Sequence, residues 1–156
     1  MSGTGVGDFD FFVGSWNSVQ RRLVKSSAGS TEWLESRATT RSWQVFNGAG
    51  NIDEIHFRDW GYTGLGTRLY NPQTQEWSIY WASSRNGELA LPPVTGRFTD
   101  GVGLFYSEET YEGQDIIVRY KWSDITTTTA RWEQAFSADK GQTWETNWTA
   151  DFSRIG

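Results

Sequence analysis

Residues 116–154 read IIVRYKWSDITTTTARWEQAFSADKGQTWETNWTADFSR. This stretch predicts three successive strands, Ile116–Trp122, Thr128–Ser137 and Thr143–Arg154. Along them, every second residue tends to be apolar or aromatic, and side chains in a strand alternate between its two faces. Gly141 lies in the polar connection before the last strand, where a positive φ would close a hairpin. The stretch therefore predicts an antiparallel sheet with one aromatic face and one charged face.

The two predicted faces differ sharply in chemistry. The aromatic face carries Ile116, Val118, Tyr120, Trp122, Trp132, Gln134, Phe136, Trp144, Trp148 and Phe152. The charged face carries Arg119, Lys121, Arg131, Glu133, Glu145, Asn147 and Asp151. Large aromatic side chains normally seek the core, which favours the aromatic face as the inner one. The chain has ten tryptophans, more than a small core holds together with a ligand, so some must cap the ends or lie outside.

The composition is typical of one β-rich domain. The chain has 156 residues, of which 16% are aromatic, with 17 glycines and only 3 prolines. That balance suits many short strands joined by tight turns. We predict a single domain over residues 9–156, preceded by a flexible glycine-rich leader at residues 1–8.

Charge and cysteine content exclude several classes of function. The formal net charge of −5 disfavours binding to nucleic acid or to an anionic membrane. The absence of cysteine excludes disulfides, thiolate metal sites and thiol nucleophiles. The N-terminus lacks the pattern of a secretory signal, and no apolar run approaches the ~20 residues of a membrane span. We therefore expect a cytoplasmic protein without a membrane or nucleic-acid partner.

The same alternation continues upstream. A strand headed by Gly14 and Trp16 runs to about Val24, and the Trp16 ring is expected to plug one end of the fold. Further strands are predicted at Trp33–Phe46, Asn51–Trp60, Thr67–Tyr70, Trp77–Ser84, Val94–Phe98 and Leu104–Tyr111. The glycine-rich segment 61–66 is expected to be a loop, and residues 91–93 break the pattern. Short hairpin links predict an all-β fold, a single antiparallel up-and-down β-barrel of about ten strands, because closure removes exposed sheet edges.

Three segments resemble a known family. They are FVGSW at Phe12–Trp16, LYNPQTQEWSIYW at Leu69–Trp81, and the run from Arg131 to Arg154. Together they resemble a family of small, uncharacterised bacterial proteins related to the calycins, the barrels that include lipocalins and fatty-acid-binding proteins. The similarity covers nearly the whole chain. The family has no settled activity, so the resemblance implies a calycin-like fold and a cavity rather than a reaction.

A more distant resemblance, to haem-binding nitrobindin-type barrels and to barrel-shaped cyclases, makes His56 relevant. It is the single histidine of the chain and shares a predicted strand face with Glu54 and Arg58. That polar setting favours an exposed surface position over a haem ligand. In nitrobindin-like barrels the haem-binding histidine lies late in the chain, where this sequence has none. We expect no cofactor and no metal.

The charged face has two interpretations. If it lines the cavity, Arg119 would bind the polar head of a ligand, and a desolvated Glu133 or Glu145 beside Asn147 would act as acid or base. If it faces solvent, these residues form cross-strand ion pairs that contribute little to stability. The alternation favours the solvent interpretation.

The leading functional hypothesis is the binding of a small hydrophobic or aromatic molecule in the barrel cavity. The predicted ligand contacts are Arg119, Glu133, Asn147, Glu145, Tyr80, Trp81 and Trp132. A second hypothesis is a cofactor-independent cyclase or isomerase in which a Glu or Tyr transfers protons. A third is a structural or oligomeric barrel filled by its own side chains. The sequence leaves open whether the protein is an enzyme and whether it forms a homodimer.

Overall fold

A computed structural model describes residues 5–25, 29 and 31–155. The described chain forms ten strands: β1 Gly14–Leu23, β2 Trp33–Val45, β3 Gly50–Phe57, β4 Tyr62–Asn71, β5 Glu76–Ser83, β6 Leu89–Thr99, β7 Val102–Tyr111, β8 Gln114–Ser123, β9 Thr129–Ser137 and β10 Glu145–Arg154. Two short 3-10 helices cover Asp10–Phe12 and Phe46–Gly48. Within these residues, no helix has the length and apolar character to cross a membrane.

Each strand pairs with the next in antiparallel fashion, and β1 pairs with β10 to close the sheet. The join is reinforced at the end of β10, where the Arg154 guanidinium donates to the carbonyls of Val13 and Phe11 at 2.6 and 2.7 Å. The predicted ten-stranded, up-and-down antiparallel barrel is confirmed. The barrel has no free edge in the described chain, so its interior is reached only from the two ends.

Two segments that the sequence predicted to lie outside strands are in fact parts of strands. Residues 62–66 form the first half of β4, and residues 91–93 lie inside β6. The glycines of β4 make room in the interior rather than a loop, because a Cβ at Gly64 would overlap the Trp81 ring. A Cβ at Gly66 would overlap the Asp53 carboxylate in the same way. The glycine-rich sequence is therefore a strand that accommodates large neighbours.

The aromatic face points inward, as the alternation predicted, with one exception. Trp122 and Trp148 are buried, and the inward set of β8 runs from Ile116 through Val118. The exception is Trp144, which lies outside the barrel with its ring centroid 6.1 Å from that of Tyr106. The strand pairing shifts between Thr146 and Trp148, so one extra residue reverses the alternation. The prediction that Trp144 and Trp148 share a face was therefore wrong.

One end of the barrel, here named the closed end, is plugged by the helix Asp10–Phe12. Phe9 and Phe12 are almost fully buried there, and the Trp16 indole donates to the Phe12 carbonyl at 3.0 Å. Order begins before residue 9, because the Gly5 carbonyl accepts a hydrogen bond from Trp77. Residues 1–4 of the expected leader lie outside the described residues. At the opposite end, named the open end, lie the connections 58–61, 84–88, 112–113 and 138–144.

Candidate ligand-binding site

The barrel encloses a cavity of about 90 Å³. Its lining residues are Phe12, Gln20, Asp53, Ile55, Phe57, Gly66, Arg68, Ile79, Tyr80, Trp81, Tyr120, Trp122, Trp132, Gln134, Trp148, Ala150 and Phe152. This volume is smaller than the ~150 Å³ of an engineered cavity that binds benzene. A ligand with an aromatic ring therefore requires side chains to move. Trp81 and Trp132 are only partly buried, so they are the lining tryptophans with the most freedom.

The floor of the cavity is a buried ion pair between two neighbouring strands. Arg68 of β4 donates from Nη1 to Asp53 Oδ1 of β3 at 2.6 Å, and both side chains are less than one-tenth exposed. The same Nη1 donates to Asn51 Oδ1 at 2.9 Å, which also accepts from the Ser42 hydroxyl. Alternation along β3 and β4 brings these polar side chains to the inward face. They form one network in an otherwise apolar interior.

Aromatic rings surround the Arg68 guanidinium. Its Cζ lies 5.2 Å from the ring centroid of Phe9, 5.3 Å from that of Phe12 and 5.6 Å from that of Trp122. These distances are within the range of cation–π attraction. The buried Nε of Arg68 and the buried indole nitrogen of Trp122 have no hydrogen-bond partner. Because both residues line the cavity, two donors there can receive an acceptor oxygen from a ligand or from water.

Burial changes the protonation chemistry of this interior. Desolvation raises the pKa of Asp53, while the charge and hydrogen bond of Arg68 oppose that shift. Desolvation, with a smaller contribution from the Glu109 carboxylate, raises the pKa of Tyr120 to about 12, and Arg68 again opposes it. Glu109 accepts a hydrogen bond from the Ser107 hydroxyl at 2.7 Å. Tyr120 therefore keeps its proton at neutral pH and can donate it in a hydrogen bond.

Amide side chains form hydrogen bonds in the part of the cavity near the open end. The Trp148 indole donates to Gln20 Oε1 at 2.9 Å. Gln134 donates to Asn147 Oδ1 at 2.9 Å, and the buried Asn147 Nδ2 has no partner. Asn147 is the extra residue at the β10 irregularity, which turns it toward Gln134 and away from the charged face on which the sequence placed it.

The structure brings three of the predicted ligand contacts to the cavity. Tyr80, Trp81 and Trp132 border it, and Asn147 is one hydrogen bond away through Gln134. The Trp132 ring is perpendicular to that of Trp148, with centroids 5.6 Å apart. These residues form one aromatic wall that spans β5, β9 and β10.

The other predicted contacts lie elsewhere. The Arg119 guanidinium covers the Trp144 ring at 4.4 Å on the outside of the barrel. Glu133 pairs with Arg131 at 3.5 Å, also on the outside. Glu145, the first residue of β10, is partly buried, lies opposite Phe136 in the strand register and does not line the cavity.

Arg119, Arg131 and Glu133 therefore lie on the outside, as the solvent interpretation predicted. Asn147 and Glu145, the latter opposite the inward Phe136, do not follow that face. His56 is exposed, as expected, with Nδ1 at 3.3 Å from the Thr63 hydroxyl. In the described part of the chain, no group of three or more His, Cys, Asp or Glu side chains is arranged to hold a metal.

The sequence interpretation missed the floor of the site. Asp53 lies on the strand face opposite His56. A loop at residues 61–66 leaves only Thr67–Tyr70 as a strand, which is too short for its alternation to show that Arg68 faces inward. Continuous alternation from Tyr62 would have placed Arg68 on the inner face. An arginine and an aspartate at inward positions of adjacent strands are the signal that was available.

Fold and site together define a closed, ten-stranded antiparallel barrel with an internal cavity. Among solved structures, the chain is similar to the S-type phycobiliprotein lyase CPES from Guillardia theta, with a TM-score of 0.59 and 12% identity. The match covers 96% of this chain and 91% of that chain, and at this identity it shows the fold alone. No protein-family model matches the chain, and no curated protein matches it.

Proposed function

We propose that this barrel binds a small hydrophobic or aromatic molecule that carries one polar group. The observation that carries the proposal is Arg68, which lines a cavity walled by aromatic rings and whose buried Nε is a donor without a partner. A barrel that only packs its own side chains gains little from a buried ion pair, since apolar residues of similar size are often as stable. The barrel of similar fold from Guillardia theta is a phycobiliprotein lyase, so this fold occurs in proteins whose role is not only structural.

The geometry gives the ligand an orientation. Its apolar part would lie against Trp81, Trp132 and Trp148, and an acceptor oxygen would reach Arg68 at the floor. Because Asp53 already balances the charge of Arg68, the floor suits a neutral acceptor such as a carbonyl better than an anion. Entry of a ring requires movement of Trp81 at the open end.

A direct test uses para-fluorobenzamide, which has one ring and one carbonyl acceptor, followed by ¹⁹F NMR. We expect saturable line broadening with the wild-type protein and a clear change of affinity in Trp81→Ala, because this substitution removes both a ring contact and the obstacle to entry. The matched control is Trp43→Ala, because Trp43 is 42% exposed on the outside of β2. Mass spectrometry of the denatured purified protein would identify a retained natural ligand. Unsaturable broadening, or equal effects of the two substitutions, would contradict the proposal.

A second function, that of a cofactor-independent isomerase or cyclase, is favoured by one observation. The Asp53 carboxyl lines the cavity and burial raises its pKa, which suits a group that accepts and returns a proton. Incubation of para-fluoroacetophenone with the protein in D₂O tests this chemistry. We expect deuterium in the methyl group faster than in buffer and loss of that exchange in Asp53→Asn. Exchange at the buffer rate, or the same rate in both proteins, would leave the barrel as a binding protein.

A further inference from the structure

Two arginines stand at the open end of the barrel, each over an aromatic ring. Arg22 Cζ lies 4.7 Å from the ring centroid of Trp148, and Arg85 Cζ lies 4.0 Å from that of Tyr62. Arg22 is opposite Trp148 in the β1–β10 register, so the two side chains start on the same inward face. Trp148 lines the cavity, which places this guanidinium at the cavity's entrance.

Both guanidinium groups act on one phenol. Burial raises the pKa of Tyr62, and the positive charges of Arg22 and Arg85 oppose that rise. Trp60 adds a third donor, because its indole nitrogen is buried without a partner. The Trp60 ring stacks on Tyr62 and meets Trp148 edge-on, with centroids 6.5 and 5.7 Å apart. The entrance thus gathers donors around one small region.

Among the residues that the structure describes, no acidic side chain forms an ion pair with either arginine. Asp59, next to Trp60 in sequence, is occupied by Arg37, which donates to it from the backbone and from two guanidinium nitrogens at 2.9 to 3.3 Å. Two guanidinium groups beside the unpaired Trp60 indole are suited to a carboxylate, which accepts several charge-assisted hydrogen bonds at once.

We propose that Arg22 and Arg85 hold an anionic group of the ligand at the open end, so that the ligand is an aromatic or apolar carboxylate. This inference rests on the proposed function, because the Trp148 ring both contacts the Arg22 guanidinium and lines the cavity. It also assigns the two ends of the ligand. The ring and its neutral acceptor oxygen enter the cavity toward the charge-balanced Arg68–Asp53 pair, and the carboxylate is an additional polar group that stays at the entrance beside Arg22 and Arg85.

The test compares acids with their neutral amides. The probes are para-fluorinated phenylacetate and 4-phenylbutyrate and the corresponding primary amides, titrated by ¹⁹F NMR. We expect wild-type protein to bind one acid about tenfold more tightly than its amide, the size typical of one charge-assisted contact. Arg22→Gln and Arg85→Gln should each remove most of that preference, because they weaken binding of the acid more than binding of the amide. Arg21→Gln is the matched control, because Arg21 pairs with Glu35 outside the barrel.

The outcomes separate this inference from the proposed function. Equal binding of acid and amide by the wild-type protein, or an unchanged preference in both glutamine variants, would overturn the arginine assignment and leave ligand binding intact. Parallel loss of acid and amide binding in the variants would also overturn it, since the arginines would then only support the entrance. Failure of the wild-type protein to bind any probe would count against the proposed function itself.

Discussion

The substitution Arg68→Met leaves the Asp53 carboxylate inside the barrel without its partner. Both side chains are about 93% buried or more, with exposures of 7% and 6%, so solvent screens their 2.6 Å contact weakly. Breaking a buried ion pair from one side typically costs about 3–5 kcal/mol. Methionine has a similar reach and refills much of the space among the rings. We expect a loss of about 4 kcal/mol in the free energy of unfolding, within that range.

The double substitution Asp53→Leu with Arg68→Met shows whether the stability loss in Arg68→Met comes from the unpaired Asp53 charge or from lost packing. Because apolar pairs often replace buried ion pairs without loss, we expect the double variant within about 1 kcal/mol of the wild type. Urea unfolding followed by tryptophan fluorescence measures all four proteins of the cycle. The control is Arg37→Met, an exposed pair with Asp59 that should change stability by less than about 1 kcal/mol. Additive losses in the double variant, or a loss below about 1 kcal/mol in Arg68→Met, would refute this reasoning.

The same variant has a pH dependence of defined sign. Without Arg68, nothing opposes the desolvation that raises the pKa of Asp53 above 3.8. The folded state then binds the proton more tightly than the unfolded chain, so stability is greatest below the ordinary pKa and falls as pH rises through the folded-state value. We expect the deficit of Arg68→Met relative to wild type to grow from pH 4 to pH 8, as about one proton's linkage requires. A deficit independent of pH would contradict a stranded carboxylate.

Three further predictions test other parts of the fold. Gly64→Ala places a methyl group against the Trp81 ring, and we expect a loss of about 1–3 kcal/mol in urea unfolding together with weaker probe binding; unchanged binding would contradict the packing role of this glycine. The pKa of Asp139 is about 2, lowered chiefly by the Thr143 hydroxyl, so its stabilisation is present above 3.8 and lost as pH falls toward 2. Acid unfolding of Asp139→Asn should lack that component, and identical acid curves would count against it. Trp144→Ala should leave probe binding in ¹⁹F NMR unchanged, because Trp144 lies outside the barrel, and weakened binding would show that it reaches the cavity.

The two-residue alternation predicted about ten strands and their order, and it favoured the aromatic face as the inward one. It works here because each strand has one buried face, so that a register error would expose the aromatic side chains of the whole strand. The inward set Ile116, Val118, Tyr120 and Trp122 is an uninterrupted example. Short links between strands then left little alternative to a meander.

The two-residue alternation gave wrong predictions where the backbone departs from a regular strand. The extra residue near Asn147 moves Trp144 to the outside. No residue type in that segment indicates that the strand contains a bulge. Glycine has two uses, which sequence alone does not distinguish at Gly64 and Gly66. Both permit a turn, but here they leave space for Trp81 and Asp53. That error concealed Arg68, and with it the polar floor of the site.

The join between β1 and β10 also has a consequence for how the protein is made. The Arg154 contact with Val13 connects residues 141 positions apart, so it can form only after nearly the whole described chain has left the ribosome. Adjacent hairpins are local and can assemble earlier, whereas this last pairing bears the largest loop entropy. Until then the nascent sheet has two unpaired edges, whose backbone groups another chain could pair with. Chaperone contact during synthesis is therefore expected to concentrate on the first strand.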